Sequence, residues 1–301
     1  MPRGYARSVA GINDFAVRVP SPLVELRDET LDRCGIRLYI KRDDLIHPDI
    51  PGNKWRKLKY NIAAAKEQNA TSLLTFGGAY SNHIRATAAV GHYFDFRTIG
   101  IIRGEEHLPL NPSLDYAASM GMRLSYLDRA SYRNKTSPEV LNELRDTFGE
   151  FYLIPEGGSN ELALAGCKEL PHEIGINFDV ICCACGTGGT LAGIAAGLKP
   201  GQRALGFSAL KGGDFLRNDI ASLQRRAFGG DTGNWSIECE FHMGGYARRN
   251  HELDDFIDSF ERSHKLRLDW IYVAKMMYGI FSLVEMGRFS RGSTLVAVVT
   301  G

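Results

Sequence analysis

DVICCACGTGG, residues 179–189, runs straight into TLAGIAAGL, residues 190–198. The first stretch reads as an apolar strand ending in a glycine loop, and the second as an Ala/Gly-rich helix. A strand, a tight glycine turn and a helix in that order form the unit from which parallel sheets are built. The same alternation extends back along the chain. IRLYIKRDD (36–44) reads as a strand, and WRKLKYNIAAAKEQ (55–68) as a helix with Leu58, Ile62 and Ala65 at helical spacing. SLLTFGG (72–78), FRTIGIIRG (96–104), RLSYLD (123–128) and FYLIPEGG (151–158) read as further strands. Between them, NHIRATAAVGHYF (82–94), LNPSLDYAASMG (110–121), a stretch around 138–149 and NELALAGCKEL (160–170) read as helices. Strand–helix alternation with short connections predicts an α/β fold, doubly wound, with a mostly parallel sheet covered on both faces. No repeat, low-complexity segment or long linker interrupts it, so composition marks no domain boundary.

The 301 residues exceed the usual single-core range, which favours two domains. With 36 basic against 35 acidic side chains the net charge is +1, so nucleic acid and anionic membranes are not expected as partners. No apolar run approaches the roughly 20 residues that span a bilayer. MPRGYARSVAGINDF at the N-terminus lacks the continuous apolar stretch of a secretory signal. Six cysteines in a chain of this length do not suggest a disulfide scaffold, and a reducing cytoplasm is the expected compartment.

Four places could carry chemistry. The loop Cys185 to Thr190 can point successive backbone N–H groups at one spot, at the positive end of a helix, with hydroxyls from Thr187 and Thr190. It matches neither the Walker pattern nor the dinucleotide fingerprint, which leaves a phosphate cradle or a close-packed βα turn. Cys182, Cys183 and Cys185 lack the turn that zinc ligation needs between paired thiols. Strand alternation sends Cys183 and Cys185 to one face and Cys182 to the other, as small buried hydrophobes, and no metal is expected. Lys54 follows a Pro-Gly turn at the mouth of a helix. It is either a solvated lysine beside Arg56, Lys57 and Lys59, or one held there as a neutral or imine group. Ser81, Asn82 and His83 sit where a strand gives way to a helix, as an ordinary N-cap or as a ligand-facing cluster at the C-terminal end of a parallel strand. Tyr246 and Tyr272, two of twelve tyrosines, would not stand out alone.

Taken in order, GNKWRKL, GGAYSNHIRATAAVG, IPEGGSN, CGTGGTLAGI, GGYARRN and IYVAKMMYGI resemble one family. It is that of the pyridoxal-phosphate enzymes related to D-cysteine desulfhydrase and 1-aminocyclopropane-1-carboxylate (ACC) deaminase, in the tryptophan synthase β-like superfamily of fold type II. The resemblance runs from about residue 10 to the C-terminus. It implies two mostly parallel open-sheet α/β domains with the cofactor in the cleft between them. The larger would comprise 1–54 plus 164–301 and the smaller 55–163. A homodimer acting on a small amino acid is the family expectation.

By the same resemblance, Lys54 carries pyridoxal 5′-phosphate as an imine, and its freed amine serves as base on the α-proton. Asn82 matches the residue that bonds the cofactor's 3′-oxygen. Gly186, Thr187, Gly188, Gly189 and Thr190 match the phosphate cup. Ser81 and His83, with Asn82, match the residues on the substrate side, and Tyr246 and Tyr272 match two active-site tyrosines. Thr300 stands where desulfhydrase-like members place a hydroxyl toward the pyridine nitrogen. In ACC deaminases a glutamate directly follows the second tyrosine, whereas this chain has Val273. The resemblance therefore favours elimination from D-cysteine, giving pyruvate, sulfide and ammonia, over opening of the ACC ring. A departure is Asp269-Trp270-Ile271, where the family often has Asp-Pro-Val. A pyridoxal-phosphate carrier without turnover is the reading outside enzymology.

Overall fold

The structure, a computed structural model, describes residues 15–300; the N-terminal run read for a secretory signal lies almost entirely outside them. Its strands are β1 (Leu23–Leu26), β2 (Arg37–Arg42), β3 (Ser72–Gly77), β4 (Arg97–Arg103), β5 (Arg123–Leu127), β6 (Tyr152–Ile154), β7 (Val180–Cys185), β8 (Arg203–Ser208), β9 (Trp235–Glu238) and β10 (Thr294–Val299). They form two sheets, in the orders β1-β2-β10-β7-β8-β9 and β5-β4-β3-β6. Every pairing is parallel except β1 with β2. The fold is therefore α/β with mostly parallel sheets. Among the described residues no helix is long and apolar enough to cross a membrane.

The chain divides into two compact units. One is Leu58–Gly158 with the segment ending at Val17, and the other is Arg18–Lys57 with Ser159 onward. In the first, helices Asn82–Phe94 and Pro112–Ser119 cover one face of the four-stranded sheet through Ile84, Ala88, Leu114 and Ala117. Leu144 of helix Pro138–Phe148 and Tyr132 cover the other, against Leu74, Phe76, Ile99 and Ile101.

In the second unit the pleat separates two cores. Leu38, Ile40, Val180, Cys182, Leu295, Ala297 and Val299 pack toward helices His251–His264 and Val273–Glu285. Ile181, Cys183, Cys185, Ala204, Val296 and Val298 pack toward helices Glu161–Lys168, Gly189–Ala196 and Leu216–Phe228. The cysteine trio thus splits as strand alternation requires, with Cys182 on one face and Cys183 and Cys185 on the other, all three buried in apolar surroundings. Burial pushes the Cys182 thiol up to about 12, which leaves it an inert core residue.

The helix carrying Lys54 runs Asn53–Glu67, and its first turn belongs to the larger unit. Arg56, two residues on, is not solvated: its side chain is 1% exposed and sits between two carboxylates. Nε and one terminal nitrogen donate to the two oxygens of Asp43 at 2.7 and 2.9 Å. Both terminal nitrogens donate to Glu173 at 2.6 and 2.9 Å. Lys41 Nζ lies 3.0 Å from Glu173 and donates to the Ser21 carbonyl at 2.6 Å, and the Ser21 hydroxyl donates to Asp43 at 2.6 Å. Two cations and two carboxylates cancel, and each is held by two or more hydrogen bonds or ion pairs, the condition under which charges survive burial. Burial alone would raise the Glu173 pKa, but its bonds to Arg56 and Lys41 outweigh that and hold it below the usual carboxylate range.

Breaking this network should be costly. Asp43→Asn strands part of a buried guanidinium and should lower the free energy of unfolding by about 3–5 kcal/mol in urea titrations. A loss below about 1 kcal/mol, the scale of a solvated surface pair, would contradict the clamp.

Candidate active site

In a parallel sheet all C-terminal strand ends face the same edge, where ligands bind in open α/β folds. In the six-stranded sheet, β2 leads to the turn before Lys54, β7 to the glycine loop, β9 to the segment bearing Tyr246, and β10 to Thr300. Helix Val273–Glu285 precedes β10, and its first turn presents Tyr272 at that same edge. The topology thus collects Lys54, Gly186–Thr190, Tyr246, Tyr272 and Thr300 in one unit. Ser81, Asn82 and His83 belong to the other unit.

The loop is built for an anion. Gly188 is in the left-handed conformation (φ 74) and precedes helix Gly189–Ala196, whose first turn has no side-chain cap. Three roles for glycine can be separated. A Cβ on Gly188 would fall 2.4 Å from Ile220 Cγ1, one on Gly189 would fall 2.5 Å from Ser159 Oγ, and one on Gly186 would press on the Tyr272 ring at 3.1 Å. The chain therefore needs bare backbone here, and the first N–H groups of the helix are left for a ligand.

Two lysines stand beside it. Lys57, on the helix face of Lys54 one turn on, is 3% exposed, and its Nζ donates to Ser159 Oγ at 3.0 Å. Ser159 Oγ in turn shares a 2.7 Å hydrogen bond with Thr187 Oγ1 in the loop. Lys54 Nζ donates to Asn53 Oδ1 at 3.1 Å, and Asn53 Nδ2 donates to Thr190 Oγ1 at 2.8 Å. Both lysines are thereby tied to the loop through one intermediary each. Loss of hydration, then repulsion from Lys57, lowers the Lys54 pKa to about 7, and loss of hydration also lowers that of Lys57. The half-buried Lys54 and the buried Lys57 beside an uncapped helix terminus offer hydrogen-bond donors and positive charge that a phosphate dianion would complement. Residues 186–190 with Lys57 and Ser159 could hold the phosphate, and Lys54 the carbonyl end, so the residues present fit pyridoxal 5′-phosphate.

The tyrosines close one side. Their ring centroids are 6.0 Å apart, nearly edge to face. The Asp269 carboxylate accepts from the backbone N–H groups of Ile271, Tyr272 and Val273, the tightest being Tyr272 at 2.7 Å. Desolvation raises its pKa against those bonds. Gly52, two residues before Lys54, approaches so closely that an added Cβ would fall 2.1 Å from the Thr300 carbonyl oxygen. That contact places Thr300 against the turn that launches the Lys54 helix.

In the smaller unit Ser81 caps helix Asn82–Phe94, accepting from the Ile84 N–H at 3.4 Å. The cap reading of this segment therefore holds, and the cluster also lies just past the C-terminal end of β3. His83 is 2% exposed, with Nε2 2.8 Å from Thr75 Oγ1. Because the Thr75 hydroxyl donates its proton to the Ile154 carbonyl at 2.8 Å, His83 Nε2 carries a hydrogen.

Sequence reasoning left out Asn53, Lys57, Ser159, Asp269 and Lys275. Lys57 had a signal, its i,i+3 spacing from Lys54 on one helix, but the surrounding charges read as a solvated face. Arg56 and Lys57 correct that reading, since both are buried.

An uncapped glycine loop flanked by Lys54 and the buried Lys57 at the C-terminal edge of a parallel sheet has the geometry of an anion-binding α/β protein. Comparison with known proteins makes this specific: residues 16–301 match the model of the pyridoxal-phosphate dependent enzymes, and the chain belongs to that family. A protein of Pyrococcus furiosus, provisionally named a 1-aminocyclopropane-1-carboxylate deaminase, is 31% identical over 89% of this chain and 85% of its own length. The mitochondrial bifunctional D-cysteine desulfhydrase/1-aminocyclopropane-1-carboxylate deaminase of Arabidopsis thaliana is 30% identical over 89% of this chain and 72% of its own. A crystal structure described as an ACC deaminase homologue superposes with a TM-score of 0.81 at 26% identity, covering 93% of this chain and 89% of that one. The chain is thus a pyridoxal-phosphate-dependent lyase-family enzyme related to ACC deaminases and D-cysteine desulfhydrase.

Two tests bear on this site. Covalent attachment of pyridoxal 5′-phosphate to apoprotein needs a neutral amine. Its rate, followed by absorbance, should rise with pH through a midpoint of about 7; a midpoint near the ordinary 10.5 would mean a solvated Lys54. Gly188→Ala, which puts a methyl on Ile220 at positive φ, should weaken cofactor binding on the order of tenfold, read by titration.

Proposed function

We propose that this enzyme removes sulfide and ammonia from a small β-thiol amino acid, D-cysteine first, to give pyruvate. One water enters for each pyruvate, sulfide and ammonia that leave. The observation that carries this reading is at Val273. It directly follows Tyr272, is fully buried, and packs into the core with Leu295, Ala297 and Val299. That position offers no carboxylate, and its side chain belongs to the core. Asp269, the nearby acid in sequence, has its oxygens committed to the backbone of the helix start. Thr300, the residue that by resemblance would meet the pyridine nitrogen, offers a neutral hydroxyl there in place of a carboxylate, which would suit expulsion of a good leaving group.

Pyridoxal phosphate supplies stabilisation of negative charge at the substrate α-carbon. The protein's part is positioning and proton transfer. Lys54 anchors the cofactor, and its Nζ, neutral for much of its time near pH 7, takes the α-proton. The Asn53 carbonyl oxygen steers that amine, and Asn53 is itself held by Thr190. Residues 186–190 bind the phosphate. Tyr246 and Tyr272, whose rings lie 6.0 Å apart, would supply hydroxyls to exchange protons with the departing group. The same reading assigns Ser81 and His83 to the substrate carboxylate, Asn82 to the cofactor's 3′-oxygen, and a cytoplasmic homodimer to the assembled enzyme.

The names of the relatives give the second reading, opening of the ACC ring to 2-oxobutyrate and ammonia. The ACC α-carbon bears no hydrogen, so Lys54 could not begin by taking one. The deciding assay incubates cofactor-loaded protein with D-cysteine, L-cysteine and ACC and measures keto acid and sulfide. Pyruvate with sulfide from D-cysteine, and nothing from ACC, is expected. 2-Oxobutyrate from ACC would reverse the assignment. Lys54→Ala should abolish turnover, and retained turnover would sink the role given to that lysine.

A further inference from the structure

Lys275 is 1% exposed, one turn after Tyr272 on the same helix. A buried ammonium is expensive unless something specific requires it. Its Nζ donates to the Gly245 carbonyl at 2.7 Å, the residue immediately before Tyr246. That carbonyl also accepts from the Arg248 N–H at 3.1 Å.

The segment so pinned is conformationally unfavourable. Met243 (φ 51), Gly244 (φ 90), Gly245 (φ 114) and Ala247 (φ 51) all have positive φ. For Met and Ala that backbone is disfavoured by the Cβ, so the segment needs external bonds to keep its shape. Three come from within it: the Gly244 N–H donates to His242 Nδ1 and the Gly245 N–H to the His242 carbonyl, each at 3.0 Å, beside the Arg248 bond to the Gly245 carbonyl. The bond from Lys275 ties the segment to another element. A closed circuit results. Asp269 fixes the Tyr272 N–H at 2.7 Å, the helix carries Tyr272 to Lys275, Lys275 holds Gly245, and Tyr246 returns to the Tyr272 ring at 6.0 Å.

We infer that Lys275 is a positioning residue: its bond to the Gly245 carbonyl holds the 242–248 segment so that Tyr246 lies against Tyr272. That this placement matters for turnover rests on the elimination reading above. The choice of lysine follows from geometry: a core helix must reach a loop carbonyl across apolar packing, and an unbranched stem with a charged tip does so. A charged donor also gives a stronger bond than a neutral amide would. Burial lowers the Lys275 pKa to about 8, and attraction from Asp269 acts in the opposite sense.

The test compares cofactor-loaded wild type, Lys275→Met, Tyr246→Phe and the double variant. Hydrogen–deuterium exchange of the peptide containing Arg248, whose amide shares the Gly245 carbonyl, should speed up on the order of tenfold in Lys275→Met. kcat/KM should fall on the order of tenfold in Lys275→Met, and by less than about twofold when the same change is made in Tyr246→Phe. Unchanged exchange overturns the inference, as does a loss of the same size in both backgrounds, since Lys275 would then act without Tyr246. If wild type turns over none of the three amino acids, the elimination reading fails, and the exchange result alone decides whether Lys275 holds the segment. If Lys275→Met does not yield folded protein, Lys275→Gln, with a donor on a stem too short to span the gap, gives the same comparison.

Discussion

The lysine side of the candidate site hangs on the guanidinium of Arg56. It is clamped on both sides by carboxylates, Asp43 just after β2 and Glu173 before β7, in fully buried surroundings. This anchors the first turn of the helix that carries Lys54 and Lys57 to two widely separated parts of the chain. Without the anchor the helix start would rest on apolar packing and the neutral or singly charged bonds of Asn53 and Lys57, which tolerate rotation and slippage more readily. A paired charge network resists both, because any shift leaves a buried charge unpaired. The clamp sets the azimuth of the helix, and so determines that Lys54 and Lys57 face the glycine loop.

Two consequences follow for the chemistry. Loss of hydration and the nearby Lys57 lower the Lys54 pKa to about 7, which the proposed reaction would use for a nucleophile and base near neutral pH. A bound dianion would offset that desolvation by favouring the charged amines. The glycine loop then completes a site for a dianion, with backbone N–H groups on one side and Lys57, through Ser159, on the other. The tyrosine side follows another logic. Polar groups one step removed support Tyr272 and Tyr246: Asp269 at the backbone of one and Lys275 at the carbonyl preceding the other.

Much of this was legible beforehand. Helix Asn82–Phe94 falls on the residues that periodicity marks, and β3, β4, β5 and β7 fall within a residue or two of theirs. The cysteine alternation held because the strand period of two leaves no freedom once a sheet is covered on both faces. The 203–238 strands and the helices after them went unassigned, since their apolar residues are interleaved with arginine, asparagine and glycine. The short η-type turns at 43–45 and 156–158 were also folded into neighbouring strands, because such turns leave no periodic trace.

The sequence by itself determined the α/β class and the glycine loop that ends a strand and opens a helix, while the lysine after the Pro-Gly turn was singled out only by the family resemblance. The class and the loop are local: each rests on residues adjacent in the chain, and periodicity suffices to read them. Only the tertiary structure decided that Arg56 and Lys57 are buried, that Val273 turns into the core, and that Asp269 and Lys275 support the tyrosines. A side chain's environment is set by partners that folding brings together. Arg56 meets Glu173 from 117 positions away and Lys57 meets Ser159 from 102, and the charge pattern that suggests a solvated helix face is the same whether or not such partners arrive.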